Sequence, residues 1–422
     1  MIKVLISNGH FKFILGAAAA EASDRGILDG FIAGGYPTKY IKLVLNFLKL
    51  GGSLTINRLL NREERVPDSL VHTQWISEFF IKIASTTRKL SKSTKYSEYL
   101  DDFALKIYSI GARLVVYRSD ANIYHYRSGY GHSSAKMAKK KGMFLLCDHS
   151  IAHPMTISYL IDHGGELPKN NENLKISKFW KSVVNDLNLA DAILVNSDFV
   201  KKTFINQGWS SEKVHVIYTG IDDQFLKKAS AGKSSNKILE KPRKFLFAGD
   251  FCKRKGAIEI MQAFTNTSDL DWRLEIIGNL DPELDKETDL FFKNQRVKYI
   301  PFMPRLALAE KMLESDVFVF PSLAEGSATV IYMAMVCGCY IITTENSGSV
   351  VKDGIHGEII DSGNISALEN SIRRVINANN DDIYRICKIN SETIIEKYNQ
   401  KKYGNDLEDL YKSFIINRQD II

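Results

Sequence analysis

The stretch DVFVFPSLAEGSATVIYMAMVCG, residues 316–338, contains the clearest strand–loop–helix unit of this 422-residue chain. Its apolar run Val317–Phe320 predicts a buried strand that ends at a Pro-Ser pair, and an apolar helix begins near Thr329. The loop between them carries Glu325, which either complements the helix dipole or binds a ligand. The unpaired N–H groups at the start of that helix predict an anion site.

A second unit of the same kind, FLFAGDFCKRKGAIEIMQAF, spans residues 245–264. Its predicted strand ends at Gly249, and the cations Lys253, Arg254 and Lys255 stand on the loop before the next helix. Ligands of open α/β sheets bind beyond the carboxyl ends of the strands. Cations at that edge therefore suit a diphosphate.

Short apolar runs alternate with helical patterns along the whole chain. This alternation predicts an α/β fold of two doubly wound, Rossmann-like domains that face a central cleft. The polar stretch KKASAGKSSNK, residues 227–237, is typical of a linker. We therefore expect an N-terminal domain over residues 1–232, a C-terminal domain over 233–380, and helices over 381–422 placed where they can cross the domain junction.

Composition argues against fibrous, disordered and membrane-spanning classes. Hydrophobic residues make up 45% and charged residues 25% of the chain, and no apolar run reaches the ~18 residues of a spanning helix. The first residues show no secretory pattern, so we expect a cytoplasmic protein. Residues 1–232 carry 31 Lys and Arg against 21 Asp and Glu, a net charge of +10, whereas the remainder carries −3. The basic half is either a solvated surface or faces an anionic partner.

Together the two units resemble the donor domain of retaining glycosyltransferases of family 4, which have the GT-B fold. The residues that carry the resemblance are Gly249, Lys255-Gly256, Pro321-Ser322, Glu325-Gly326, Ala334-Met335 and Gly338, with the following stretch NSGSVVKDGIHGEII at residues 346–360. A weaker likeness covers NLADAILVNSDFVKKTF and KVHVIYTGIDDQF in the first half. The resemblance implies that the C-terminal domain holds a nucleotide-sugar donor and the N-terminal domain an acceptor.

The resemblance also implies which side chains do the chemistry: His149, Glu325 and Lys255. His149 follows the apolar run MFLLC, where such enzymes usually carry a histidine near the donor sugar, and His153 is its competitor. The implied donor-binding residues are Gly9, Arg254, Lys255, Glu325, Gly326, Ser327, Ala328, Thr329 and Val330. The loop SGYGHSS, residues 128–134, either shapes the acceptor side or is an ordinary turn.

The implied activity is a metal-independent hexosyltransferase. It moves a sugar from a nucleotide-diphosphate donor to a hydroxyl acceptor with retained anomeric configuration, in the biosynthesis of a cell-surface polysaccharide or lipopolysaccharide, with no cofactor. The implied partners are a nucleotide sugar and a glycan or lipid-linked acceptor. The basic half suits an anionic inner membrane surface, and the stretch YIKLVLNFLKL, residues 40–50, either forms an interfacial helix there or packs into the core. No nucleic-acid motif is evident.

Two positions depart from the family pattern. The family's second Glu falls on Met333, which cannot accept hydrogen bonds from ribose hydroxyls, and Asp250 replaces a frequent Arg. Two alternatives therefore stay open: a non-catalytic protein that binds a nucleotide sugar, and a sugar-nucleotide epimerase of the same fold.

Overall fold

The computed structural model describes residues 2–11, 14–47, 54–90, 94–169, 176–232, 241–284 and 287–419. These residues form two β-sheets. The strands of the first sheet are β1 (Val4–Gly9), β2 (Leu28–Ala33), β3 (Val71–Thr73), β4 (Ile123–Arg127), β5 (Phe144–His149), β6 (Ala192–Val195) and β7 (Val214–Val216). Those of the second sheet are β8 (Arg243–Ala248), β9 (Trp272–Ile277), β10 (Val297–Ile300), β11 (Val317–Phe320), β12 (Tyr340–Thr344) and β13 (Gly357–Ile360).

Helices alternate with these strands. Those up to the second sheet are α1 (Ile14–Asp24), α2 (Lys39–Phe47), α3 (Leu54–Leu60), α4 (Trp75–Leu90), α5 (Thr94–Arg118), α6 (His132–Lys140), α7 (Ile157–Asp162), α8 (Lys178–Leu189), α9 (Asp198–Asn206) and α10 (Asp223–Gly232). The later ones are α11 (Ala257–Asn266), α12 (Glu287–Phe292), α13 (Arg305–Glu314), α14 (Thr329–Val336), α15 (Ile365–Asn377), α16 (Asn380–Lys397) and α17 (Gln400–Gln419).

Both sheets are parallel and doubly wound. Their strand orders are β3-β2-β1-β4-β5-β6-β7 and β10-β9-β8-β11-β12-β13. The central strands β1 and β11 are buried along their whole length, as expected when helices cover both faces of a parallel sheet. In each sheet the strand order reverses beside its first strand, and ligands of such folds bind beyond the strand ends at that point. The predicted architecture of two Rossmann-like domains is confirmed.

The chain passes between the two domains twice. Helix α10 precedes the boundary expected at residue 232, yet its Phe225 is buried in the core of the second domain. Helix α17 returns to the first domain, where Tyr411 and Phe414 join the core beside β1. The two passages touch, because Ile221 and Asn399 form a β-bridge. The apolar face of α10 is covered by the second domain. That domain therefore begins near residue 221.

Tyr411 anchors α17 to the first domain. Its hydroxyl is hydrogen-bonded to Nδ1 of the buried His125 at 2.7 Å. Burial lowers the pKa of His125 to about 3, so the ring is neutral at physiological pH. This hydrogen bond is a polar contact between α17 and the first domain, and its loss should lower the free energy of unfolding.

We expect Tyr411→Phe to lower the free energy of unfolding by ~1–2 kcal/mol, because it leaves a buried ring nitrogen without a partner. Urea denaturation measures this change. The control is Tyr117→Phe on the exposed side of α5, which should alter stability by less than ~0.5 kcal/mol. Equal effects in both variants would contradict the anchoring role of the bond.

Candidate active site

The carboxyl edges of the two sheets meet, and the loop after β11 lies against the first domain. Ser197, just after β6, donates its hydroxyl to the carbonyl oxygen of Gly326 at 2.5 Å. A Cβ on Gly326 would overlap the carbonyl oxygen of Ser150, so only glycine allows this approach. Glu325 and His149 each directly precede one of these two touching residues in the chain. The structure therefore places the two predicted functional loops side by side.

The basic loop of the second domain is a tight turn between β8 and α11. Lys253–Lys255 form one turn of 3-10 helix, and Gly256 ends it with a φ of 82°. A Cβ on Gly256 would overlap the carbonyl oxygen of Pro321, at the end of β11. The turn is fixed further by Ser322, whose hydroxyl donates to the carbonyl oxygen of Arg254 at 3.0 Å. The two segments that the sequence singles out thus pack directly on each other.

The side chains of these two loops form a cluster of two cations and one carboxylate. Arg254 Nη1 donates to Glu325 Oε1 at 2.5 Å and to the carbonyl oxygen of Ala324 at 2.8 Å. Lys255 Nζ lies 3.8 Å from the same Oε1. Both Lys255 and Glu325 are mostly buried, with side chains 17% exposed. Because one carboxylate faces two cations, a net positive charge remains at this edge of the sheet.

Helix α14 begins beside the cluster at Thr329, as the sequence predicts, but one expected donor is already used. Ala328 donates its N–H to the carbonyl oxygen of Ser347 at 3.0 Å, whereas the sequence predicts that this group is free to bind an anion. Ser327 is likewise engaged, by a hydrogen bond with the hydroxyl of Tyr332 at 2.9 Å. The N–H groups of the first turn, at Thr329 and Val330, remain the predicted anion site.

His149 ends β5, as predicted. Its Nδ1 is hydrogen-bonded to Ser128 Oγ at 2.8 Å, whereas its Nε2 has no hydrogen-bond partner within the described part of the chain. Burial, reinforced by the charge of Arg127, lowers the pKa of His149 well below its usual range, so the ring is neutral. The competing His153 packs edge-on against the ring of Phe204 and does not line the pocket that holds His149.

That pocket has a volume of about 880 Å³ and lies among α4, α5 and α8 of the first domain. Its apolar lining includes Ile81, Leu105, Tyr130, Ile151, Trp180 and Val183. Arg127 and Ser128 add polar groups next to His149. The pocket is large enough for a ligand that combines an apolar part with hydroxyl groups.

Sequence reasoning missed the carboxylate that fixes the loop after β4. Asp186 of α8 is fully buried and accepts hydrogen bonds at 2.7–2.8 Å from the backbone N–H groups of Gly129, Gly131 and His132. Burial raises the pKa of Asp186 to about 6 in spite of these bonds. The partners are backbone groups more than fifty residues away, so no local pattern indicates the role of Asp186.

The loop that Asp186 holds begins at Ser128, which is hydrogen-bonded to His149. Ser128 and Tyr130 both line the pocket, so the stretch SGYGHSS does shape this side of the cleft. Ser128 is hydrogen-bonded to Nδ1 of His149, and Nε2 is buried without a hydrogen-bond partner among the described residues.

Two further positions are explained by packing. Gly9 has a φ of 90° and donates its N–H to the hydroxyl of Tyr108 at 3.0 Å, and the ring of Tyr130 fills the space where a Cβ would lie. Its contact with a donor stays a prediction. Met333 is 5% exposed and belongs to the core of the second domain, so this helix position is apolar here.

Comparison with known proteins identifies the family. Residues 230–393 match the family model described as glycosyl transferases group 1, and residues 99–225 match that of glycosyltransferase family 4. The chain belongs to the group 1 glycosyltransferases. The two matches include parts of both domains of this glycosyltransferase, with the cation–carboxylate cluster in one and the strand that ends at His149 in the other.

Two relatives of this glycosyltransferase share part of its length. The capsular polysaccharide biosynthesis glycosyltransferase CapM of Staphylococcus aureus is 26% identical over 201 residues, 43% of this chain and 50% of CapM. The UDP-Gal:alpha-D-GlcNAc-diphosphoundecaprenol alpha-1,3-galactosyltransferase of Escherichia coli is 25% identical over 221 residues, 49% of this chain and 56% of that enzyme. The match therefore spans about half the length of these relatives.

The fold has a full-length counterpart among solved structures. HepE from Anabaena, solved in complex with UDP and glucose, superposes with a TM-score of 0.62 at 15% identity, over 97% of this chain and 100% of HepE. At this identity the likeness shows the fold alone. The group 1 glycosyltransferase described here has the GT-B fold.

We expect Asp186→Asn to lower the rate of sugar transfer about ten- to hundredfold with nucleotide affinity unchanged, because a displaced His149 misaligns only the reacting groups. Wild-type activity should fall as the pH drops through about 6, where the Asp186 carboxylate gains a proton and loses acceptor capacity. That acid limb should be missing in Asp186→Asn. The pH profile of turnover is the measurement, with the exposed Asp120→Asn as control. A profile identical in the wild type and in Asp186→Asn would exclude this role.

Proposed function

We propose that this chain is a retaining, metal-independent hexosyltransferase that moves a sugar from a nucleotide-diphosphate donor to a hydroxyl acceptor in cell-surface glycan biosynthesis. The proposal is carried by one observation: the cluster of Arg254, Lys255 and Glu325 lies on loops packed against the strand end that carries His149. One wall of the cleft thus offers positive charge, and the other offers a neutral imidazole beside a pocket. In the proposed reaction, the positively charged wall binds the departing diphosphate, and the wall with the imidazole and the pocket binds the acceptor.

The donor is proposed to lie on the second domain. As the glycosidic bond breaks, negative charge grows on the diphosphate and positive charge grows at the anomeric carbon, so oriented cations and N–H dipoles supply most of the catalysis. Lys255 and the N–H groups of Thr329 and Val330 take the phosphate side. Glu325, held by Arg254, accepts hydrogen bonds from hydroxyls of the sugar. The UDP and glucose in HepE support a nucleotide donor.

His149 takes the sugar side of the first domain. In the tautomer that we propose for the neutral ring, Nδ1 accepts from Ser128 and Nε2 carries the proton, so that this N–H group orients the sugar beside the acceptor hydroxyl. The negative charge of the leaving group is partly offset by Lys255 and by the N–H groups of Thr329 and Val330, and the proposed reaction uses no metal and no cofactor. The described residues contain no group of three His, Cys, Asp or Glu side chains arranged to hold a metal ion.

The acceptor is proposed to be a glycan, free or carried by a lipid. The name of CapM refers to capsular polysaccharide, and the name of the Escherichia coli relative refers to a diphosphoundecaprenol acceptor. The partly apolar pocket beside His149 suits such an acceptor. The proposed location is the cytoplasmic side of the membrane, with peripheral attachment. Within the described ranges no helix is both long and apolar enough to cross a bilayer.

The donor site is tested by calorimetric titration with UDP and GDP. We expect one of them to bind, and Lys255→Ala to weaken that binding at least about tenfold, since a charged contact with phosphate is lost. The control is Lys253→Ala, because Lys253 stands on the same turn with an exposed side chain that points toward Asp162 at 3.9 Å. Equal affinity in wild type and Lys255→Ala would remove Lys255 from the site.

The rate of sugar transfer distinguishes the proposed transferase from a non-catalytic protein and from an epimerase. We expect Glu325→Gln to retain nucleotide binding and to lower transfer about a hundredfold, because the lost interaction is made to the reacting sugar. Release of nucleoside diphosphate measures the rate, EDTA tests metal independence, and NMR of the product reports the anomeric configuration. Nucleotide binding without turnover would favour a non-catalytic protein, and a free epimerised sugar nucleotide would favour an epimerase.

A further inference from the structure

The outward face of α5 is apolar along nearly its whole length. Six side chains that are 48–72% exposed share this face: Tyr96, Tyr99, Phe103, Ile110, Leu114 and Tyr117. We call them the α5 stripe. Their spacing of three, four and seven residues puts them on one side of the helix, over a length of about 32 Å.

The stripe continues onto the neighbouring helix α4. The ring of Phe80 lies 4.9 Å from that of Phe103 and 5.7 Å from that of Phe79, whose side chain is also exposed. Contiguous exposed apolar surface on a soluble domain indicates an interaction site, because single exposed apolar residues are common but extended patches are not.

The charge around the stripe favours an anionic lipid surface over a second copy of the chain. Arg113 lies on the same side of α5, Arg118 ends the helix and Lys82 is exposed on α4, whereas Lys106 on that side is paired with Asp102 at 3.0 Å. Tyrosine rings suit the headgroup region of a membrane, since each has an apolar body and a polar tip. A two-fold contact between two copies would instead bring two sets of these cations together.

The stripe reaches the mouth of the pocket that contains His149. Tyr99 belongs to both, and Lys178 stands over its ring at 5.6 Å. Helix α2, for which the sequence leaves an interfacial and a core position open, exposes Tyr40, Leu43 and Phe47, and residues 48–50 of that stretch lie outside the described residues. The stripe on α5 is the longer surface and the one continuous with the pocket.

We propose that the α5 stripe lies in the headgroup region of an anionic lipid surface, so that the His149 pocket opens toward the membrane. The proposal that the chain docks on this surface depends only on the stripe and the cations beside it. Entry of a lipid-borne acceptor from that surface rests on the proposed function.

The test is sedimentation of the full chain with vesicles of phosphatidylcholine, with or without about 30% phosphatidylglycerol. The variant is Ile110→Ser/Leu114→Ser/Tyr117→Ser, which changes the end of the stripe far from the pocket. The matched control is Leu290→Ser/Phe302→Ser, two equally exposed apolar residues of the second domain. We expect wild type and control to bind the anionic vesicles, the triple variant to bind at least about tenfold more weakly, and salt to weaken wild-type binding.

Three outcomes would overturn the docking proposal: wild-type binding to neither kind of vesicle, triple-variant binding equal to wild type, or a dimer that the triple substitution converts to monomer. Nucleotide titration of the same samples controls for folding. It also separates the two proposals, because a wild-type chain that binds anionic vesicles but no nucleotide keeps the docking surface and removes the transferase.

Discussion

The contact between Gly326 and the first domain positions everything else in the site. The carbonyl oxygen of Ser150 approaches Gly326 so closely that no side chain fits there, and the hydroxyl of Ser197 donates to the carbonyl oxygen of Gly326. Glu325 is the neighbouring residue, and Arg254 is held by Glu325. The geometry of the cation–carboxylate cluster therefore depends on how one glycine joins two sheets.

In each half of the chain, the charge at the cleft differs from the net charge of that half. The second half of the chain carries −3, yet its loops at the cleft leave a net positive charge, because Arg254 and Lys255 share the single carboxylate of Glu325. The first half carries +10, yet it presents a neutral ring at His149. Overall charge thus indicates what surfaces a domain meets, whereas the few mostly buried charges decide what the cleft binds.

The fold and the donor loops were predictable because their signals are local. An apolar run such as Val317–Phe320 forms a buried strand wherever it stands in a parallel sheet, and the loop after it carries the chemistry. The contacts that the sequence does not reveal depend on partners elsewhere in the chain. The N–H group of Ala328 donates to Ser347, and Phe225 of α10 packs in the core of the second domain. Asp186 accepts hydrogen bonds from a loop more than fifty residues away. No pattern along the chain records such contacts.

The return of α17 sets the order in which a nascent chain can finish folding. The first domain leaves the ribosome first, but Tyr403, Leu407 and Tyr411, which complete its core, emerge only after the whole second domain. Until then the apolar surface around Val4 is open to solvent and to other chains, the condition in which unfinished domains aggregate. A newly made molecule therefore completes its first domain only when its second is already made, and the two walls of the cleft become available together.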